Sequence, residues 1–438
     1  MTDTAPDNAR LGAKPSLAET VNTFGRIGLL SFGGPAAQMA LLHRVLVDEK
    51  RWLTEQQYLN ALSFCMLLPG PEAMQLATYS GWLARGTLGG LIAGLLFVLP
   101  GAICILALSA LYAAWGNVPF VEALFFGIKA AVIVIVVEAL LRIARRALKA
   151  RAHWIVAALS FVAIFVFSVP FPLLIAVAAL YGYFSSASTP VPSARSATAL
   201  IPFTTTLRTA LLWLAIWILP LAAIALWFGT THVLSGLALF FSKLAVVTFG
   251  GAYAVLAYMA QDVVQRYGWL EATEMLDGLG LAETTPGPLI LVVEYVGFLA
   301  AWRHGGEPAW LMGTLGAVVA LWATFAPCFL WIFAGAPYVD WIGNQPRLRS
   351  ALEYVTAAVV GVILNLAVWF ALHVFFRTVT PTSLGPARLW WPDVTTIDLR
   401  ALAIAGVSAW LLLARHWPIH WVLGIAASLA LVQRSLGL

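Results

Sequence analysis

Three landmarks recur along this chain at one fixed interval. Ser31-Phe32-Gly33-Gly34 returns as Thr248-Phe249-Gly250-Gly251, Trp52-Leu53 as Trp269-Leu270, and Pro69-Gly70-Pro71 as Pro286-Gly287-Pro288. The offsets, 250 − 33, 269 − 52 and 286 − 69, are each 217. Three separate signals in one register mean two copies of one unit. Glycine and proline interruptions at matching places in apolar sequence mark a transporter built from a structural repeat.

What surrounds the landmarks decides the solvent. Of 438 residues, 61% are hydrophobic and 10% charged, with a mean hydropathy of +0.88. So little charge does not cover a soluble protein of this size. Most apolar runs reach the ~20 residues that cross a bilayer core, whereas the ~10-residue alternating segments of a barrel are missing. The expected fold is therefore an all-α polytopic membrane protein with the lipid bilayer as its partner. The net charge of +5 sits in short loops and gives no case for nucleic acid. Cys65, Cys104 and Cys328 are isolated in apolar sequence and read as small core residues. His416 and His420 lie beside tryptophans near a turn, so neither a metal nor a cofactor is expected.

The polar stretch 1–19 has no signal-peptide core and reads as an N-terminal tail. The first repeat covers 20–184. A Ser/Thr/Pro-rich linker at 185–206 follows, then a connecting membrane helix at 207–230, and the second repeat at 231–438. Apolar segments in the first half fall near 20–46, 58–83, 87–116 and 120–141. Those in the second fall near 233–258, 276–302, 309–336 and 350–376. The last stretch of each half, 154–184 and 400–433, has proline in its middle, which suits two short helices in a hairpin better than one crossing. Residues 142–153 carry five cations and no acid, hence should be cytoplasmic. Counting full crossings back places Arg85 and the N-terminus inside and 47–57 outside. With thirteen segments the second repeat is inverted relative to the first.

Pro-Gly-Pro inside an apolar segment predicts a broken helix. Unpaired backbone at membrane depth is tolerated where it lines a cavity, and the freed N–H groups of a half-helix suit an anion. A packing kink or a close glycine contact is the plainer alternative. The expected binding set is Ser31, Gly33, Gly34, Pro69, Gly70, Pro71 and Gln75, with Thr248, Gly250, Gly251, Pro286, Gly287 and Pro288 from the second copy. Arg26 plus 217 is Lys243, so both copies place a cation seven residues before the first glycine of the pair (33 − 26; 250 − 243). Such charges within apolar sequence mark a functional site or snorkel to the headgroups. On the first reading, Arg26 and Lys243 face one dianion across a two-fold axis. Buried carboxyl groups exchange protons near neutrality. Glu283 is thus the first choice for proton coupling, with Lys243 as its charge partner and Glu72 as the second candidate. Asp277, Glu294, Lys129 and Glu138 lie in the same segments, and structural ion pairing is the alternative for each. No histidine pair, Ser-Lys or Asp-Asp constellation supports an enzyme.

At these residues the chain resembles the chromate ion transporter family in its long, two-domain form. Ser31 through Pro35, Trp52-Leu53-Thr54 and Leu67 through Pro71 with Gln75 are similar to that family's N-terminal domain. Thr248 through Leu256, Gly268-Trp269-Leu270 and Gly278 through Pro288 are similar to its C-terminal domain. The resemblance implies export of chromate, a tetrahedral dianion shaped like sulfate, across the bacterial inner membrane, driven by the proton-motive force and conferring chromate resistance. Transport of sulfate or another small anion on the same fold is the alternative. The first copy departs from the family pattern at Gln38, where a histidine is expected, and at Glu72, where a small residue is. An ionised acid there would oppose an oxyanion.

Overall fold

The computed structural model describes residues 15–116, 118–185, 203–249, 251–339, 345–385 and 387–437. They form an all-α membrane protein, and five helices are long and apolar enough to cross a bilayer. The expected tail lies largely outside the described residues, as does most of the expected linker.

The first repeat opens with α1 (Leu17–Leu30), capped by the Ser16 hydroxyl accepting from the Glu19 N–H. It stops at Ser31, and α2 (Pro35–His43) begins after Gly33, whose φ of 86° only glycine adopts without strain. A π-helical turn, Arg44–Glu49, ends this arm. Lys50 then pairs with Glu19 at 3.3 Å, and Arg26 with Glu49 at 3.6 Å. The chain has therefore turned back to the end it started from. The next arm, α3 (Glu55–Leu67), starts with a capping box of Thr54 and Gln57 and breaks at Leu68 through Pro71. Helix α4 (Glu72–Trp115) is two helices joined where Arg85 and Gly86 leave helical geometry. Arg85 donates to the Pro15 carbonyl at 3.0 Å, so its first part also returns to the starting end.

Segments 20–46 and 58–83 are thus re-entrant hairpins and not the crossings expected from their length. This corrects the sidedness of 47–57, which shares an end with Pro15 and Arg85. Arms of 13–14 residues at 1.5 Å each reach only ~20 Å, short of the ~30 Å core.

The second part of α4 and α5 (Pro119–Ala147) are full crossings. The proline-interrupted stretch is a hairpin of α6 (Arg151–Phe165) and α7 (Phe171–Ser185), as its prolines foretell. The connecting helix is α8 (Phe203–Phe228), which starts inside the expected linker.

The second repeat runs α9 (Val233–Val247), α10 (Ala252–Gln261), a π-helical turn Asp262–Arg266, α11 (Ala272–Thr284), a 3-10 turn Leu289–Leu291, α12 (Val292–His304) and α13 (Ala309–Gly335). Its capping box, Glu271 with Glu274, and its π turn stand 217 residues after those of the first repeat. Phe240 of α9 packs on Tyr267 and Trp269, and His232 reaches the Gly305 carbonyl, so these arms reverse in the same way. Helix α14 (Pro346–Phe375) leads to a β-hairpin absent from the sequence expectation, β1 (Val379–Leu384) with β2 (Ala387–Pro392), closed by Gly385 at φ 61°. The chain ends in the expected second hairpin, α15 (Leu399–Ala409) with a π turn Trp410–Ala414, then α16 (Ile419–Ser435).

Candidate functional site

The four re-entrant tips meet at the centre, and the repeats exchange backbone bonds there. The Gly70 N–H donates to the Thr248 carbonyl at 2.9 Å, and the Gly287 N–H to the Ser31 carbonyl at 2.9 Å. Since 70 + 217 = 287 and 31 + 217 = 248, the two bonds are one bond written twice, the reciprocity that a two-fold relation demands. Gly70 (φ 121°) and Gly287 (φ 92°) must be glycine for the chain to make this turn.

Beside these bonds lies an open cleft lined by Pro35, Gln38, Pro71, Glu72, Ala73, Gly251, Ala252, Pro288, Leu289 and Ile290. Every lining residue belongs to the start of α2, α4, α10 or the turn leading into α12. None comes from the carboxyl ends of α1, α3, α9 or α11, which stop at the same level. The first N–H groups of a helix have no partner within it and carry its positive dipole end. Carbonyls at the opposing ends are already engaged. Those of Ser31, Gly33 and Gly287 accept from the Gln38 side chain at 3.4, 3.0 and 2.7 Å, and the Pro69 carbonyl accepts from Gln75 at 2.7 Å. Donor ends face the cleft and acceptor ends are bonded away from it, an arrangement for an anion.

The expected site residues divide accordingly. Pro71, Gly251, Pro288 and Glu72 line the cleft, and Pro69, Gly70, Pro286, Gly287 and Gln75 shape its walls. Gly33 and Gly34 form the turn into α2, while Gly250 lies outside the described residues. The Gly70 and Gly287 amides are taken by the opposite repeat, which corrects their assignment as anion donors. Ser31 and Thr248 are buried, but their hydroxyls donate to the carbonyls of Gly28 and Leu244, as hydroxyls ending a helix do. Arg26 and Lys243 do not face one another across the cleft. Arg26 keeps 60% of its side chain exposed and pairs with Glu49, and Lys243 is exposed on α9 within electrostatic reach of Asp262. Seven residues is two turns, enough to place each cation near mid-arm but not to aim it inward.

One mirrored pair escapes the 217 register. Pro100-Gly101 in α4 and Pro327-Cys328 in α13 are 227 apart, a shift of ten that hid them from a fixed-offset comparison. Each abuts the Pro-Gly-Pro loop of the other repeat. A Cβ on Gly101 would stand 2.1 Å from the Pro286 carbonyl oxygen, and one on Gly70 3.0 Å from the Cys328 sulfur. Each proline also frees the carbonyl four residues earlier. Ala323 receives the Trp217 indole N–H at 3.2 Å, and the Leu96 carbonyl lies against Gly28, where a Cβ would meet it at 2.0 Å.

Comparison with known sequences places this architecture. The profile of the family described as "Chromate transporter" matches residues 18–183 and 235–431, the two repeats. The chain belongs to the chromate transporter family. Among its relatives, the chromate transport protein of Pseudomonas aeruginosa is 34% identical over 408 residues, 89% of this chain and 90% of that one. The chromate transport protein of Cupriavidus metallidurans is 29% identical over 383 residues, covering 84% and 86%. The probable chromate transport protein of Synechococcus elongatus is 31% identical over 371 residues, covering 81% and 84%. No solved structure matches the chain. Membership makes it a multi-pass membrane transport protein and not an enzyme.

Buried carboxyl groups in this transporter cluster around α11. Glu283 is 5% exposed and accepts from the Tyr253 hydroxyl at 2.6 Å. Its charged neighbours are Glu138 and Arg142, themselves paired, and Lys243 is not the expected partner. Asp277 is 2% exposed, and Lys129 and Tyr112 reach it at 3.3 and 2.8 Å. Glu294 is 1% exposed, and its Oε2 has no partner among the described residues. Glu72 has no ion pair there either. Among the described residues no group of three or more potential ligands could hold a metal ion.

Proposed function

We propose that this protein is a secondary transporter that exports chromate across the bacterial inner membrane, driven by the proton-motive force, and so confers chromate resistance. One observation carries the reading: a cleft at the junction of the repeats whose lining, among the described residues, comes from the starts of α2, α4 and α10 and the turn leading into α12. A compact dianion would be held there by backbone N–H groups at the starts of α2, α4, α10 and α12, without a fixed counter-cation. Glu283 and Glu72 would exchange the coupled protons, Glu283 one residue from the tip of α11 and Glu72 within the cleft.

The repeats are inverted in this reading, one of the repeat architectures that supports alternating access around a fixed site. Support comes from the ends of the arms. Those of the first repeat return to Pro15 and Arg85, and two crossings, the second part of α4 and then α5, bring the chain back to that same end at the cation-rich 142–153. Ser350 of α14 reaches Gly182 of α7 at 2.8 Å, and Thr206 of α8 meets Tyr338 beyond α13 at 2.9 Å, so these termini share one end. Helix α13 then begins at the other end, where Gly305 meets His232 at the start of α9. Arg85, Arg347 and Arg349 fall on the cation-rich side, which the positive-inside rule makes cytoplasmic.

Radiolabelled chromate flux in everted membrane vesicles tests the reading. Accumulation that needs an imposed pH gradient supports it, and no chromate signal with well-inserted protein refutes the substrate. A second reading is sulfate or another small anion on the same site, and Glu72, whose charge disfavours any dianion, favours a monoanion among these. Stronger competition by sulfate than by unlabelled chromate would select it.

A further inference from the structure

Lys129, Asp277 and Tyr112 form a cluster away from the cleft that the anion site does not use. Lys129 is on α5 and stands 129 − 119 = 10 residues into it, ~15 Å along the axis and near the middle of the bilayer core. Tyr112 comes from α4, also of the first repeat. Asp277, on α11, and Tyr295, on α12, come from the second. The Lys129 ammonium lies 3.3 Å from Asp277 Oδ2, and the Tyr112 hydroxyl donates to the same oxygen at 2.8 Å. The other oxygen, Asp277 Oδ1, is buried without a hydrogen-bond partner among the described residues, as is the Tyr295 hydroxyl. The Tyr112 and Tyr295 rings meet edge to face at 5.4 Å. One turn back on α11, Glu274 is held by Arg303 of α12. These are the titratable and charged groups that face Asp277: Lys129 and Tyr112 across the junction, and Tyr295, Glu274 and Arg303 from its own repeat.

A buried ion pair inside the helix bundle is an expensive way to hold helices together, and apolar residues would do so as well. What the pair adds is dependence on a proton. We propose that Asp277 is a proton-binding site that latches the two repeats: as a carboxylate it holds Lys129 across the junction, and as the neutral acid it lets go. The proton comes from water on one side and is taken at the free Oδ1. Lys129 then loses its contact with Asp277, and the charge nearest to it, Glu274, is already held by Arg303, so the closed arrangement is destabilised until the repeats move. Loss of the proton on the other side restores the pair. One proton crosses per cycle through this site. The inference rests on the proton-coupled transport reading and adds a site to it.

The experiment uses the full chain in proteoliposomes, as wild type, Asp277→Asn and the double variant Lys129→Met/Asp277→Asn. The double variant removes both charges and leaves no orphan ion, which covers the case where D277N fails to fold. Three readouts are taken: chromate exchange with no gradient, chromate accumulation under a pH gradient, and infrared titration of the carboxylic C=O stretch without chromate. The expected result is exchange within about 3-fold of wild type, a loss of gradient-driven accumulation of about 10-fold or more, and one fewer titrating carboxyl band. Gradient-driven accumulation at the wild-type level in the double variant overturns the proposal, as does an unchanged infrared titration. Absence of chromate exchange in wild type would instead overturn the substrate reading, and the infrared result would still decide the latch.

Discussion

Glu72 puts a carboxyl group against the place where this transporter is expected to hold a dianion, and Glu72→Gln isolates its effect. Glu72 lines the cleft, so an anion in contact with that wall sits ~5 Å from the carboxylate charge. Two charges against one at ~5 Å repel by about 1.7 kcal/mol even at the dielectric constant of water, and by more where water is excluded. At 1.4 kcal/mol per decade this is a factor of roughly 15 in affinity. The sign with pH follows. In the wild type, binding is weaker at high pH, where the carboxylate is ionised, and strengthens as pH falls and the acid takes its proton. In E72Q the chain makes no such contribution, so affinity at high pH rises about 10-fold or more and the slope flattens. Radiolabelled chromate binding to purified protein in lipid nanodiscs, measured across pH, reads both quantities. Unchanged affinity with the same slope would refute the claim that the anion sits between the four helix starts.

Three further outcomes follow from the packing. Gln38→Met keeps the volume and removes the donor to three buried carbonyls, so it should lower stability by about 1–3 kcal/mol, seen as an earlier thermal transition; an unaltered transition would mean water replaces the amide. Gly28→Ala drives a Cβ into the Leu96 carbonyl, and overpacking of this kind costs about 1–3 kcal/mol, checked by fluorescence-detected size-exclusion after heating. Arg26→Ala and Lys243→Ala, both off the cleft, should leave chromate binding within about 3-fold of wild type, and a loss beyond 10-fold in either would return these cations to the site.

The sequence carried the architecture where a signal was local and repeated. The Gly33-Gly34 and Pro69-Gly70-Pro71 breaks, the hairpin at Pro170 and the connecting helix before Val233 all follow from proline and glycine chemistry. Where chain direction was at stake, it did not. An apolar run of 26 residues has the same composition whether it crosses the bilayer or turns at its middle, and only the Lys50–Glu19 and Arg85–Pro15 contacts tell the two apart. The mirrored cations misled because periodicity fixes depth along a helix more readily than the face a side chain takes. Gln38 looked like a family exception, yet its three bonds make it the clasp of the first tip. The Pro100–Pro327 correspondence was missed because ten extra residues separate it from the shared register.

The paired bonds at the tips bear on energetics as well as architecture. Moving one repeat's arms away from the other breaks the Gly70–Thr248 and Gly287–Ser31 bonds alike, whichever side opens. With the halves inverted, as proposed, a scaffold of two equal halves has no preferred direction of its own: states open to either side would be related by the two-fold axis and equal in free energy. Direction has to come from positions where the halves differ. Along the cleft these are Pro35 against Ala252, Gln38 against Val255, Glu72 against Leu289 and Ala73 against Ile290, each 217 residues apart. Both polar members belong to the first repeat. The buried acids of α11 tip the other way, with Asp277 against Asn60 and Glu283 against Met66, so polar differences at the cleft and proton-binding differences beside it sit in opposite halves.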